Sequence, residues 1–239
     1  ITANFRPGTM AISIGMLLSA LAMTWHLVHF HYVKFNKESM YEVSKKIILL
    51  CIPLLLSAQF IAGILNEALD LTDTNQELFI SMSHNIFGVL SIAIVVPILE
   101  EVLFRGAIEG HLLRKGWSPK WAILVSALIF GIIHGNPAQI PFAFLIGLLF
   151  GWLYYRTGSL VPGIVGHIIN NSFGAWTMFT ATREELSQTT METLGTTITY
   201  ILLVLAIIVF IGMYLYLNKY LPKPTNIQVK AINEQDITI

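Results

Sequence analysis

The chain has 239 residues, 55% of them hydrophobic and 12% charged, with no net charge and a mean hydropathy of +0.69. A soluble domain carries about 25% charged residues, so this composition excludes a water-soluble globule. Zero net charge gives nucleic acid no basic surface to bind, and a single cysteine, Cys51, excludes an intrachain disulfide.

Seven apolar segments follow one another, over residues 9–33, 46–65, 78–113, 117–134, 140–155, 159–180 and 196–217. A helix needs about 20 apolar residues to cross the hydrocarbon core. The third segment is too long for one crossing, about 50 Å at 1.5 Å per residue. It is expected to tilt, to break near Pro97, or to project past the bilayer. Pro137 and Pro141 punctuate the tight link between the fourth and fifth segments, and Gly158 and Pro162 mark the entry to the sixth. The expected fold is an all-α, polytopic membrane bundle of about seven transmembrane helices, within a range of six to eight, around a polar intramembrane cavity. It forms one domain, 1–221, followed by a polar cytoplasmic tail, 222–239. No repeat, low-complexity tract or leader with a cleavage site is evident.

The basic residues orient this bundle. Seven spans place Lys34, Lys37, Lys45, Lys46, Arg114, Lys115, Lys120, Arg156, Lys219, Lys223 and Lys230 on one side and Arg6 and Arg183 on the other. The rich side is expected to be cytoplasmic, and with it the C-terminus. The other loops carry acid: Glu67, Asp70, Asp73 and Glu77, then Glu184, Glu185 and Glu192. A multi-pass protein of a bacterial plasma membrane is the expected location.

Few polar residues lie at mid-span. The third segment holds Glu100, Glu101 and Arg105, the fourth ends at His134, and the sixth holds His167, Asn170 and Asn171. An ionisable residue at membrane depth costs roughly 2.5–3.5 kcal/mol on insertion scales, so three within six positions suggest a use. Glu101/Arg105, Phe130/His134 and His167/Asn171 share the i,i+4 spacing that puts both members on one helix face. At 1.5 Å per residue, Glu100 lies about 20 Å from its cytoplasmic end, His134 about 26 Å, His167 about 12 Å and Asn171 about 18 Å. Such depths allow the groups to meet inside one bilayer core.

This set contains no nucleophile, so water must attack. Glu100 with His134 could hold and deprotonate a water. His167 and Asn171 could donate hydrogen bonds to the oxyanion formed from an amide. Glu101 and Arg105 would pair on their own helix and leave Glu100 free to titrate. Asn170, at i,i+3, shares the face as well and competes with Asn171.

The strings Glu100-Glu101-x-x-x-Arg105, Phe130-x-x-x-His134 and His167-x-x-x-Asn171, with Phe104-Arg105-Gly106 and Gly135, resemble the CAAX protease and bacteriocin-processing family. The likeness runs from about Pro97 to Asn171. It implies a glutamate-dependent, metal-independent intramembrane endopeptidase without a cofactor, acting on a membrane-embedded or lipid-anchored peptide or protein. It implies Glu100 and His134 as water activators, His167 and Asn171 as the oxyanion hole, and Glu101 and Arg105 as support. It also favours Asn171 over Asn170.

Three rivals stand beside this reading. Glu100, His134 and His167 are legitimate zinc ligands, although no His-Glu-x-x-His occurs. A non-proteolytic scaffold, regulator or immunity protein could use the same fold, although every motif position is filled. A transporter also buries charge, but a repeat would be expected. His26, His29, His31, His84 and His111 read as interfacial, and Cys51 as an inert apolar thiol. Gly147-x-x-x-Gly151 reads as a close helix approach within the monomer.

Overall fold

The computed structural model describes residues 7–33 and 43–221. Arg6, Lys34, Lys37, Lys223, Lys230 and the tail 222–239 lie outside the described residues. The described chain is an all-α membrane bundle. Its long helices are α1 (Pro7–His29), α2 (Lys45–Glu67), α4 (Ile86–Arg114), α5 (Pro119–Ile133), α6 (Ile140–Thr157), α7 (Val161–Thr180) and α10 (Thr196–Tyr220). Short helices α3 (Gln76–Ser83), α8 (Arg183–Ser187) and α9 (Thr190–Leu194) lie between them. Five helices are long and apolar enough to cross a bilayer by length and composition: α1, α2, α4, α6 and α10. The shorter α5 is also apolar.

The overlong third segment breaks, but not at Pro97. The chain reverses at His84–Asn85, where the Asn85 side chain accepts a hydrogen bond from Gly88 N at 2.7 Å and caps α4. A Cβ at Gly88 would lie 2.1 Å from the Met82 carbonyl oxygen, so only glycine fits this turn. Pro97 instead sits inside α4, at the start of its α-helical stretch Val96–Glu101. There its missing N–H falls between two π-helical stretches, Ser91–Val95 and Val102–Glu109. A π stretch re-pairs i with i+5, which lets a helix absorb an extra residue near a functional group.

Helix ends follow their sequence signals. Gly135, with φ +59°, ends α5 directly after His134, and Gly158, with φ +65°, ends α6. Both take the left-handed C′ position that favours glycine. Pro141 and Pro162 occupy first-turn positions of α6 and α7, where no backbone donor is needed.

Helices α5 and α6 pack tightly as an antiparallel pair, α10 packs on α2, and α7 lies against α4. The Gly147-x-x-x-Gly151 stripe is the reason α6 approaches so closely. A Cβ at Gly147 would meet Phe130, Ala127 and Arg105, and one at Gly151 would meet Glu109 and Ile123. One core cluster joins Cys51, Leu54, Leu55, Phe150 and Leu153 between α2 and α6. Another joins Leu27, Val33, Val102 and Leu160. Most of α10 exposes apolar side chains, the surface a helix presents to lipid.

Candidate active site

Helix α4 presents Glu101 and Arg105 toward α6 and α7. The Arg105 guanidinium donates to Glu101 Oε1 at 2.9 Å and to the Gly147 carbonyl at 3.2 Å. Its carbon lies 4.4 Å from the Phe130 ring centroid, a cation–π contact. Both members of the pair are 1% exposed. The i,i+4 pair read from the sequence is therefore a buried, bonded ion pair.

His167 of α7 stands between the two glutamates. Its Nδ1 is 3.1 Å from Glu101 Oε1, and its Nε2 is 3.4 Å from Glu100 Oε2. Glu101 thus binds both Arg105 and His167, which fixes the imidazole ring from behind. Glu100 lies on the open side, partly exposed. A Cβ at Gly163 would come 2.6 Å from Glu101 Oε2, so α7 can bring His167 this close only with glycine there.

His134 ends α5, and its Nδ1 lies 2.8 Å from the Phe130 carbonyl oxygen. A proton on Nδ1 in that contact leaves Nε2 as the acceptor. Phe130 explains the aromatic position of its motif. Its ring covers Arg105 and stands edge-on to His134, with centroids 4.9 Å apart, and to His167, at 5.8 Å.

Asn171 donates from Nδ2 to the Ile92 carbonyl at 2.9 Å, inside the first π stretch of α4. Asn170 donates to Asn171 Oδ1 at 3.1 Å. An amide nitrogen has two hydrogens, so Asn171 keeps one for a ligand while the other holds it to α4.

A cavity of about 390 Å³ is lined by Glu100, His134, His167, Asn170 and Asn171 among apolar side chains that include Ile92, Phe142 and Ile146. The separately predicted polar positions thus share one cavity, with Glu101 and Arg105 directly behind it. Such a volume lies in the usual range for a ligand site. The histidine beside Glu100 is His167 rather than His134, and both histidines line the cavity. Among the described residues, no three His, Cys, Asp or Glu side chains converge in a way that would hold a metal ion.

Sequence reasoning missed two polar residues near this site. Glu109, on the same α4 face one i,i+4 step beyond Arg105, is fully buried, and neither carboxylate oxygen has a hydrogen-bond partner. Continuing the i,i+4 series Glu101, Arg105, Glu109 would have found it. Asn136 is fully buried just past His134. It donates to Asp73 Oδ1 at 2.7 Å and accepts from Thr74 N at 3.1 Å. Its Asn-Pro dipeptide was the available signal, since such dipeptides start turns.

Residues 82–173, which hold all three polar motifs, match the family described as Type II CAAX prenyl endopeptidase Rce1-like. The resemblance of the motif-bearing region to the CAAX protease family is thus carried by these residues. It is similar to YdiL of Bacillus subtilis (strain 168), provisionally named a membrane peptidase, at 38% identity over 34% of this chain and 33% of that protein. It is also similar to the membrane-embedded CAAX protease MroQ of Staphylococcus aureus (strain USA300), at 33% identity over 42% of each. A third relative is the UPF0177 protein YxdF of Lactococcus lactis subsp. lactis (strain IL1403), 28% identical over 51% of this chain and 63% of that protein. The chain therefore aligns with between one third and under two thirds of these relatives' lengths. No solved structure matches the chain significantly.

Proposed function

We propose that this protein is a glutamic-type intramembrane endopeptidase, cutting a peptide bond of a membrane-associated peptide or protein with activated water. The observation that carries the reading is His167 held between Glu100 and Glu101 at the wall of a cavity that His134 and Asn171 also line. The match of residues 82–173 to the Rce1-like family and the printed names of YdiL and MroQ support a membrane peptidase.

The reaction follows from the donors and acceptors. Water held by Glu100 and the free nitrogen of His134 attacks the carbonyl carbon, and its proton passes to Glu100. The carbonyl π electrons move to oxygen. That oxyanion accepts hydrogen bonds from the remaining Asn171 N–H and from the His167 ring. Collapse of the tetrahedral carbon breaks the C–N bond, and Glu100 returns its proton to the leaving amine. Glu101 and Arg105 touch no substrate; they hold the His167 ring. The chain lies in a plasma membrane with the lysine-rich side, and the C-terminus, in the cytoplasm.

Purified protein incubated with a panel of membrane-anchored peptides in excess chelator, with fragments scored by mass spectrometry, tests this directly. Cleavage is expected to persist in chelator. Glu100→Gln, which keeps the shape, is expected to lower the rate by at least about 10²-fold. Loss of cleavage in chelator with recovery on adding zinc would favour a metalloprotease. Wild-type turnover by a folded Glu100→Gln protein would reject Glu100 as the base.

A further inference from the structure

The cavity lining reaches one end of the bundle, and the charge asymmetry of the chain says which side of the membrane that end faces. Its outer lining is Asn75 before α3, Phe79 in α3, Gln139 and Phe142 at the start of α6, and Met178 near the end of α7. All lie at the helix ends opposite the lysine-rich loops. Glu100 and His167 form its deep wall.

Toward the lysine-rich side the bundle is closed. Val102 and Leu153 are fully buried, Phe104 is 1% exposed and Leu160 is 3% exposed. Leu27, Val33, Val102 and Leu160 form one continuous plug beneath the site. None of these residues lines the cavity.

The mouth is a built rim. Asn136 ties the α5–α6 link to Asp73 and Thr74, and Asn66 donates to the Ala138 carbonyl at 2.8 Å. Thr190 donates from its hydroxyl to Glu67 at 2.6 Å, and Arg183 pairs with Glu77. These braces tie the outer loops to one another and to the helix ends.

We infer that the active-site cavity opens to the extracytoplasmic face, and that its substrate is an extended, largely apolar peptide segment presented from that side. The inference rests on the endopeptidase reading and adds the direction of entry and the side on which the bond is cut. A segment entering between Phe79, Phe142 and Met178 reaches Glu100 without passing the plug. Water reaches the site by the same mouth. A peptide on the cytoplasmic side meets the closed core.

Cysteine accessibility in intact cells tests the inference. Cys51 is the sole cysteine, and it is buried. In a Cys51→Ser background, Gln139→Cys and Met178→Cys report on the mouth, and Lys115→Cys reports on the opposite face. A membrane-impermeant maleimide added to intact cells is expected to label both mouth cysteines, and to label Lys115→Cys only after permeabilisation. The reverse pattern overturns the inference.

Two anchored reporters, with the cleavable segment outside or inside the membrane, give the second readout. Cleavage confined to the outside reporter upholds the inference, and cleavage confined to the inside reporter overturns it. Outward labelling with neither reporter cut leaves the outward mouth standing and removes the endopeptidase reading instead.

Discussion

Asn171 has an amide with two hydrogens, and they serve different ends. One N–H holds the π-distorted carbonyl of Ile92, and the proposed mechanism assigns the other to the oxyanion. Asn170 also lines the cavity, and its amide donates to Asn171 Oδ1. Asn171→Ala is expected to lower kcat by about 10²–10³-fold with little change in KM, because an oxyanion donor acts as charge develops. Asn170→Ala is expected to be far milder. Steady-state kinetics of the two variants check this, and a silent Asn171→Ala beside an inactive Asn170→Ala would reverse the assignment. Glu109 gives the opposite kind of expectation. Glu101 already balances Arg105, so Glu109 is an excess buried acid without a hydrogen bond. A buried polar group without a partner costs about 1–3 kcal/mol. Glu109→Met, of similar length and flexible, is expected to raise the melting temperature in detergent. A lower one would show that Glu109 contributes to the bundle. The residue scale was largely legible. Glu100, Glu101, Arg105, His134, His167 and Asn171 stand out because lipid-facing sequence contains so few polar groups. The bond that places His167 between two glutamates was not legible, because it joins α4 to α7 and depends on Gly163.

At the scale of elements, the sequence marked α5, α6 and α7 well, since Gly135, Gly158, Pro141 and Pro162 are local stop and start signals. For the third segment it left a tilt, a break near Pro97 and a projection past the bilayer open, and the break lies elsewhere. Pro97 is the louder breaker, yet the turn formed where Asn85 caps α4 and Gly88 lets Met82 approach. The polar outer helices α8 and α9 were missed because they are too short for a period to show. Each carries a capping box: Thr182 with Glu185, and Thr189 with Glu192. The threonine backbone and hydroxyl donors hold both carboxyls below their ordinary value. A lowered carboxylate favours folding above the unfolded value, about 4.3 for glutamate, and that contribution fades as pH falls through the folded value. Amide hydrogen exchange across 182–194 is therefore expected to speed up below about pH 4 relative to α10, after correction for intrinsic exchange. Unchanged protection would mean that the caps do not hold these helices.

At the scale of the molecule, Arg105 is the point where three helices meet: it binds Glu101 on α4 and Gly147 on α6, and stacks on Phe130 of α5. Removing it strands Glu101 as a lone buried charge beside His167, a change that typically costs roughly 3–5 kcal/mol. Arg105→Ala is expected to lower the melting temperature in detergent more than Glu100→Gln does, because Glu100 reaches the cavity and is partly exposed. Equal melting temperatures would argue against a buried pair that supports the bundle. By itself the sequence determined that the chain is helical and membrane-embedded, which residues are polar at depth, and which loops carry positive charge. Each of these follows from composition or from spacing along one helix, where lipid solvation and the 3.6-residue turn act locally. Only the tertiary structure decided that the motifs share one cavity, that His167 faces both glutamates, and that a buried apolar cluster closes the bundle on one side of the site. Those facts depend on how closely helices approach, and closeness here is set by Gly147, Gly151 and Gly163 against side chains distant in sequence. No periodicity along a single segment encodes such contacts.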